Sequence, residues 1–384
     1  MKKIVVWLTV LITVMSVIVP VKAEGPEIEA PCAILTEASP GRVIYEKNAD
    51  ESLHPASITK IMTLLIIFDA VEDGSISPED TVTVSEHAAS MGGSQVFLEP
   101  GETQTVETMI KCIAIASAND ACVAMAEHIS GSEDAFVQSM NERAEALGMN
   151  NTHFVNCCGL DADGHMTTAR DVAIMSRELI TAHPAIHDYS CIWMDTITHV
   201  TRRGESEFVL NNTNKLLKQY EWATGLKTGS TSLAKFCLSA TARRNDIELI
   251  SVIMASPSGK TRVSDSIALL NYGYGICSLY HDNNMPSIDV IPIKGGIKSD
   301  ISVEYSSQMN YLFTNKYDAS LIESHAEYLE DLEAPVQKGD VIGQLTYTYD
   351  GKFMDSIDII ASESIKKAGY GDYINSLWQC FLGN

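Results

Sequence analysis

The sequence lacks most of the short motifs that identify hydrolases and nucleotide enzymes. It contains no P-loop, no G-x-S-x-G and no H-E-x-x-H. It also has no C-x-x-C, and the closely spaced His183 and His187 have a proline between them and no third ligand in sequence. The sequence therefore offers no metal site, and it points to chemistry that needs no cofactor.

Basic residues are scarce. Lys and Arg number 27 against 50 Asp and Glu, which gives a formal net charge of -23. Nucleic acid and anionic lipid repel such a chain, so we expect no nucleic-acid partner and interpret the charge as a source of solubility. Composition is otherwise that of a globular protein, with 45% hydrophobic and 20% charged residues, and 384 residues allow two domains.

Long hydrophobic runs are confined to the first 23 residues. Lys2 and Lys3 precede an apolar stretch, and a small-residue cleavage site ends at Ala23. This pattern is typical of a signal peptide, with an uncleaved anchor as the alternative, and no later run is long enough to span a membrane. We therefore expect an exported, extracytoplasmic protein of the cell envelope, free or associated with the outer face of the cytoplasmic membrane.

The nine cysteines form no recognisable disulfide framework. An odd number leaves at least one unpaired in an exported protein. Most lie in apolar contexts such as "IKCIAIA" and "AKFCLSA", where cysteine behaves as a small hydrophobic residue. We interpret them as mostly free thiols.

The order of strand and helix patterns predicts two domains after the signal peptide. Residues 24–284 read as strands, then helices, then the strands "GLKTGST", "AKFCLSATARR" and "IELISVIMAS". This order fits an antiparallel sheet covered by helices, either α+β or a three-layer α/β/α arrangement. Residues 285–368 show short alternating runs typical of a small all-β sandwich.

Residues 369–384 form a predicted amphipathic tail. Its apolar residues fall on one helical face: Ile374, Leu377, Trp378 and Phe381. Two interpretations stay open, contact with a membrane surface and docking on the protein's own surface.

A polar pair interrupts an apolar helix in "HPASITKIMTLL", residues 54–65. Ser57 and Lys60 lie three residues apart and so share one face of that helix. A serine hydroxyl is a weak nucleophile that needs a base, and burial favours the neutral lysine that can act as one. We therefore predict that Ser57 is a nucleophile and that Lys60 is its base.

Two further motifs follow in a fixed order. Ser117-Ala-Asn119 lies at a break between two helices, and Lys227-Thr228-Gly229 lies on a predicted strand. Each motif alone is weak evidence, but the order S-x-x-K, S-x-N, K-T-G is that of penicillin-binding proteins and class A β-lactamases.

The chemistry assigns each motif residue a role. Ser117 can relay a proton to a leaving amine, and Asn119 can hold a substrate amide or the Lys60 amine. Lys227 and Thr228 can hold a substrate carboxylate. We expect Gly229 to allow a substrate backbone to approach. We expect the backbone N–H groups of Ser57 and Ser230 to form an oxyanion hole.

The chain resembles the serine-type D-alanyl-D-alanine carboxypeptidases, the low-molecular-mass penicillin-binding proteins. The resemblance rests on "PASITKIMT", "ASANDACVAMAEHISGSEDAFV", "GLDADGHMTTARD" and "APVQKGDVIGQL" and covers nearly all of the mature chain. It implies a β-lactamase-like catalytic domain. It also implies acylation of Ser57 by stem peptides ending in D-Ala-D-Ala, release of D-Ala and hydrolysis, acylation by β-lactam antibiotics, and a carboxylate-binding role for Arg262.

Two features depart from this family. "NCCGLD" carries cysteine where Pro or His is expected, and the tail lacks a strongly basic amphipathic character. The first departure concerns the rigidity of a loop. The second concerns attachment to the membrane.

Several alternatives accompany this interpretation. A β-lactamase needs a Glu to activate the deacylating water, and "GLDADGHMTTARD" contains none. A D,D-endopeptidase stays open, and a catalytically silent penicillin-binding sensor is disfavoured because every motif residue is present. In the same segment, we interpret His165 as a loop residue that orients the start of the next helix. We interpret Asp171 as a cap of that helix, in a capping box with Thr168.

Overall fold

The computed structural model describes residues 25–39, 41–288 and 290–374. The predicted signal peptide lies outside these residues, as do Leu377, Trp378 and Phe381 of the predicted tail. Within the described part, no helix combines the length and the apolar character needed to cross a membrane.

Strands and helices alternate through the described residues. The strands are β1 (Cys32–Glu37), β2 (Val43–Lys47), β3 (Thr81–Thr83), β4 (Thr103–Thr105), β5 (Met194–Thr201), β6 (Gly204–Asn211), β7 (Ala223–Thr231), β8 (Lys235–Arg244), β9 (Ile247–Ser256), β10 (Ser278–His281), β11 (Ile291–Pro292), β12 (Asp300–Ile301), β13 (Val303–Tyr305), β14 (Asn310–Phe313), β15 (Ile322–Tyr328), β16 (Val341–Tyr349) and β17 (Lys352–Ala361). The α-helices are α1 (Lys60–Glu72), α2 (Glu86–Ala89), α3 (Val106–Ala114), α4 (Asn119–Ser130), α5 (Glu133–Ala146), α6 (Ala169–Ala182), α7 (Ile186–Ser190) and α8 (Gly259–Ile276). Short 3-10 helices span Ala56–Thr59, Lys215–Lys218 and Ala319–Leu321.

The central sheet is antiparallel, with the strand order β2-β1-β9-β8-β7. Alternate residues of its strands enter two separate cores: Val252 packs with the helices on one face, and Ile253 packs with α8 on the other. Because helices cover both faces, β9 is buried almost throughout. This three-layer arrangement confirms the predicted fold class, and it leaves β7 as an edge strand.

Helix α1 is the central helix of the larger core. Every residue of the range 61–68 is buried, so this helix is apolar on all sides, as a helix enclosed by other elements must be. It begins at Lys60, directly after the 3-10 helix that contains Ser57. The packing of α1 therefore fixes where both residues of the first motif lie.

The C-terminal part is built of strands, as predicted. A four-stranded antiparallel sheet has the order β13-β17-β16-β15, and two-stranded pairs join β10 to β14 and β11 to β12. Two small apolar cores stabilise it, one around Ile342 and one around Tyr347. It contacts the rest of the protein through Arg42, whose guanidinium lies 4.3 Å from the ring centroid of Tyr311.

Two smaller expectations have different outcomes. The eight cysteines of the described residues are all free, as predicted, and Cys380 lies outside that range. Half of the predicted capping box of α6 forms. The hydroxyl of Thr168 accepts the Asp171 N–H at 3.0 Å, as predicted, whereas the Asp171 carboxylate accepts the N–H of Asn151 at 3.0 Å and does not cap the helix.

Candidate active site

Ser57 is the one residue of the range 55–68 that is not buried. It lies in the 3-10 helix that precedes α1, and Ala56 before it has a positive φ of 48°. A non-glycine residue rarely adopts this conformation, so the chain turns sharply here under the constraint of its surroundings. The turn leaves the Ser57 hydroxyl accessible above an otherwise closed core.

Three polar groups surround the amine of Lys60. Its Nζ lies 3.2 Å from Oγ of Ser57 and donates to Oδ1 of Asn119 and to the carbonyl of Cys158, both at 2.6 Å. Lys60 is fully buried, and each of these partners is electrically neutral. The hydrogen bonds fix the amine within reach of the Ser57 hydroxyl, which is the geometry that a base for this nucleophile requires.

Lys227 and Ser117 form a second polar pair in the same cleft. Ser117 has a φ of 61° in the break between α3 and α4, and its Oγ accepts a hydrogen bond of 2.8 Å from Nζ of Lys227. Burial, and after it the charge of Lys60, lowers the pKa of Lys227 well below its usual value. The neutral amine is therefore favoured at this position.

Asn119 links the first two motifs. Its Oδ1 accepts from Lys60, while its Nδ2 donates to the carbonyl of Gly92 at 2.7 Å. Its own N–H donates to the carbonyl of Ser94 at 2.7 Å. Both ends of the amide are thus engaged, and the structure places Asn119 against the amine, which was one of its two predicted contacts.

Strand β7 lies directly against the turn that carries Ser57. A Cβ placed on Gly229 would lie 2.9 Å from the carbonyl oxygen of Pro55 and 3.0 Å from the backbone nitrogen of Ser57. Glycine is therefore needed for this close packing, a reason that differs from the predicted approach of a substrate. Ser230, the next residue, is exposed, and the hydroxyl of Thr228 lies 2.6 Å from that of Thr213.

Arg262 lies on α8 and contacts the backbone of β7 and β8. Its Nη1 donates to the carbonyls of Gly229 and Cys237, at 3.0 and 3.1 Å, and its Nε is buried without a partner among the described residues. Burial lowers its pKa. The structure thus places Arg262 beside the third motif, attached to backbone, and its predicted contact with a substrate carboxylate stays a prediction.

The histidines singled out from the sequence have structural partners. The Nε2 of His165 lies 2.8 Å from Oγ1 of Thr59, its Nδ1 accepts the N–H of Val155 at 2.9 Å, and burial lowers its pKa to about 4. It therefore fastens a loop to the 3-10 helix at Ser57, not to the start of α6 as predicted. His183 and His187 each pair with a carboxylate, at 2.7 and 3.0 Å.

Sequence reasoning missed the backbone carbonyl of Cys158 and the loop that presents it. Every residue has a carbonyl, so no residue type marks this contact. The signal that could have found it is Asn156 ahead of Gly159, a pattern typical of a tight turn stabilised by an Asx side chain.

Comparison with known proteins gives consistent matches. A family model described as D-alanyl-D-alanine carboxypeptidase matches residues 19–258, and one described as the C-terminal domain of penicillin-binding protein 5 matches residues 279–367. The chain is 41% identical to the D-alanyl-D-alanine carboxypeptidase DacF of Bacillus subtilis, over 89% of this chain and 87% of that protein. It is 32% identical to DacA of Escherichia coli, over 93% and 90% of the two chains.

Solved structures agree with these matches. Penicillin-binding protein 5 of Haemophilus influenzae superposes with a TM-score of 0.73 at 29% identity, covering 89% of this chain and 99% of that one. The DD-transpeptidase of Streptomyces K15 superposes with a TM-score of 0.61 at 28% identity, covering 65% and 99%.

Proposed function

The chain belongs to the D-alanyl-D-alanine carboxypeptidase family, and we propose that it removes the terminal D-alanine from peptidoglycan pentapeptides through an acyl-enzyme on Ser57. The observation that carries this proposal is the placement of the buried Lys60 amine 3.2 Å from the accessible Ser57 hydroxyl. The second pair, Lys227 and Ser117, completes the proton path.

Acylation uses the two pairs in turn. The neutral amine of Lys60 takes the proton of Ser57 as Oγ attacks the carbonyl carbon of the penultimate D-Ala. The backbone N–H groups of Ser57 and Ser230 stabilise the resulting oxyanion. As the intermediate collapses and the C–N bond breaks, Ser117 passes its proton to the departing amine and receives, through Lys227, the proton that Lys60 took from Ser57. D-Ala leaves, an ester remains on Ser57, and Lys60 is again unprotonated.

Deacylation reverses the proton movements. A water molecule attacks the ester carbonyl, and Lys60 accepts a proton from it. Collapse of the second tetrahedral intermediate returns that proton to Oγ of Ser57. The products are the shortened tetrapeptide and the free enzyme, and no metal or cofactor takes part.

The edge position of β7 suits a peptide substrate. An edge strand leaves backbone N–H and C=O groups free, so an extended peptide can add alongside it. Thr228 and Lys227 supply hydroxyl and amine N–H donors for the terminal carboxylate, and Arg262 supplies a cationic group beside them. Asn119 keeps its contact with the Lys60 amine. β-Lactams, which mimic the D-Ala-D-Ala end, acylate the same serine.

The substrate also sets where the protein acts. Peptidoglycan lies outside the cytoplasm, and residues 1–23 have the pattern of a signal peptide, so we propose export to the cell envelope. A mature N-terminus after Ala23, measured by mass spectrometry on protein from the native host, tests this. The tail, residues 369–384, is the segment that we propose for contact with the membrane surface, and flotation with vesicles before and after its removal tests that role.

The deciding experiment is release of D-alanine from a pentapeptide ending in D-Ala-D-Ala. We expect the wild-type protein to release it and the Ser57→Ala variant to show no release and no labelling by fluorescent penicillin. A folded wild-type protein that releases no D-alanine contradicts the proposal. Cleavage of cross-linked dimer peptides instead would identify an endopeptidase.

A further inference from the structure

The Lys60 amine is held from one side by a single backbone group, the carbonyl of Cys158 at 2.6 Å. A carbonyl cannot adjust by side-chain rotation, so its position depends entirely on the conformation of its turn. This turn comprises residues 156–160 and is called the Asn156 turn below.

One side chain determines the conformation of the Asn156 turn. Oδ1 of Asn156 accepts the N–H groups of Gly159 at 2.7 Å, Leu160 at 3.1 Å and Cys158 at 3.2 Å. Nδ2 of the same amide donates to the carbonyl of Leu160 at 2.9 Å. Three consecutive backbone amides therefore converge on one oxygen atom, and the Cys158 carbonyl belongs to the same short stretch.

The Asn156 turn presses directly on the turn that carries the nucleophile. A Cβ placed on Gly159, whose φ is 86°, would lie 1.9 Å from the carbonyl oxygen of Ala56. Farther along α1, the hydroxyl of Thr63 donates to the carbonyl of Cys157. The Asn156 turn is thus held against both the 3-10 helix and α1, and a change in its shape moves the Cys158 carbonyl relative to Lys60.

We propose that Asn156 is a positioning residue for Lys60. The Asn156 amide forms its hydrogen bonds with the backbone of its own turn and none with Ser57 or Lys60. It holds the Cys158 carbonyl where that group fixes the Lys60 amine beside the Ser57 hydroxyl. This inference rests on the proposed function in one respect, the role of Lys60 as the base.

Two variants separate this role from the alternatives. Asn156→Ala removes the shared acceptor, whereas Asn156→Asp keeps it, loses the bond to the Leu160 carbonyl and adds a negative charge. We expect Asn156→Ala to lower the rate of Ser57 acylation by fluorescent penicillin about 10- to 100-fold, since misplacement by about 1 Å can cost that much. The pentapeptide kcat falls with it, whereas KM stays within about threefold, because the peptide-binding groups of β7 are untouched.

Asn156→Asp is the control. It should acylate within about fivefold of wild type, as loss of one hydrogen bond of about 1 kcal/mol implies. Acylation of Asn156→Ala at the wild-type rate, or an equal loss in Asn156→Asp, would overturn the proposal.

A crystal structure of Asn156→Ala gives a readout that is independent of activity. We expect the distance between Nζ of Lys60 and the Cys158 carbonyl to exceed hydrogen-bond range, and an unchanged distance contradicts the positioning role. A wild-type protein that is acylated but releases no D-alanine would refute the proposed function while leaving this test intact.

Discussion

Because β7 packs closely on the turn that carries Ser57, Gly229→Ala is a sharp perturbation. The added methyl carbon would lie 2.9 Å from the Pro55 carbonyl oxygen and 3.0 Å from the nitrogens of Ser57 and Ile58, whereas ordinary contact begins near 3.4 Å. All three neighbours are backbone atoms, so no side chain can rotate away. Strand and turn must separate by about 0.5 Å.

That separation has two consequences of different size. Overpacking costs about 1–3 kcal/mol of stability, which corresponds to a fall in melting temperature of about 2–4 °C for each kcal/mol. Catalysis suffers separately, because the Ser57 N–H and the groups of β7 form the two sides of the predicted oxyanion hole. If about 1 Å of misplacement costs about 100-fold, about 0.5 Å costs about tenfold in the acylation rate.

The assay compares acylation by fluorescent penicillin with thermal unfolding, and Gly273→Ala is the matched control. A Cβ on Gly273 would lie 2.6 Å from a side-chain carbon of Leu249 and 2.9 Å from one of Leu35, in the core on the opposite face of the sheet. It perturbs packing but not the cleft, so it should acylate at the wild-type rate. Wild-type acylation by Gly229→Ala, or an equal loss in both variants, would refute the geometric argument.

Two pH-dependent predictions follow from the lowered pKa values of the buried Lys227 and His165. The folded pKa of Lys227 lies below its unfolded value, so folding releases protons and stability rises with pH up to about 10.5. Thermal unfolding of Lys227→Met should show a flatter rise of stability with pH, and its melting temperature at pH 7 should be no lower than that of wild type. Its acylation by fluorescent penicillin should be at least about tenfold slower. A steep fall in its melting temperature would contradict the stability prediction. The folded pKa of His165, about 4, also lies below its unfolded value near 6.5, so its contribution of about 3 kcal/mol is present above pH 6.5 and lost as pH falls toward 4. In denaturant unfolding, His165→Gln should therefore lose less stability between pH 6.5 and 4.5 than wild type does. An unchanged pH profile would exclude His165 as the source of this pH dependence.

The sequence predicted the elements that carry the chemistry better than the contacts between them. Apolar periodicity located α1, α4 and α6, and the successive strand patterns of "GLKTGST", "AKFCLSATARR" and "IELISVIMAS" located β7, β8 and β9. The side-chain pair of Ser57 and Lys60 followed from helical spacing alone. These predictions succeeded because each depends on residues that are close in the chain.

Contacts between distant segments were not predictable in the same way. Lys60 and Cys158 are 98 residues apart, and the contact uses a carbonyl that any residue would supply. The reason for Gly229 also depends on a neighbour, Pro55, that only the fold brings near. The hairpin of β5 and β6 was missed because its strands, rich in Thr, Glu and Ser, have exposed outer faces and weak apolar alternation.

Neutral oxygen atoms surround the amines of both lysines in the cleft. Nζ of Lys60 contacts amide, carbonyl and hydroxyl oxygens, and Nζ of Lys227 contacts the Ser117 hydroxyl and a carbonyl. Among the described residues, no carboxylate forms an ion pair with either amine. Burial, and after it the charge of Lys60, lowers the pKa of Lys227 well below its usual value, because a buried ammonium group is poorly solvated and is repelled by a second cation. The fold therefore favours a neutral amine at Lys227 without using a carboxylate, where a Ser-His-Asp triad relies on the neutral form of histidine.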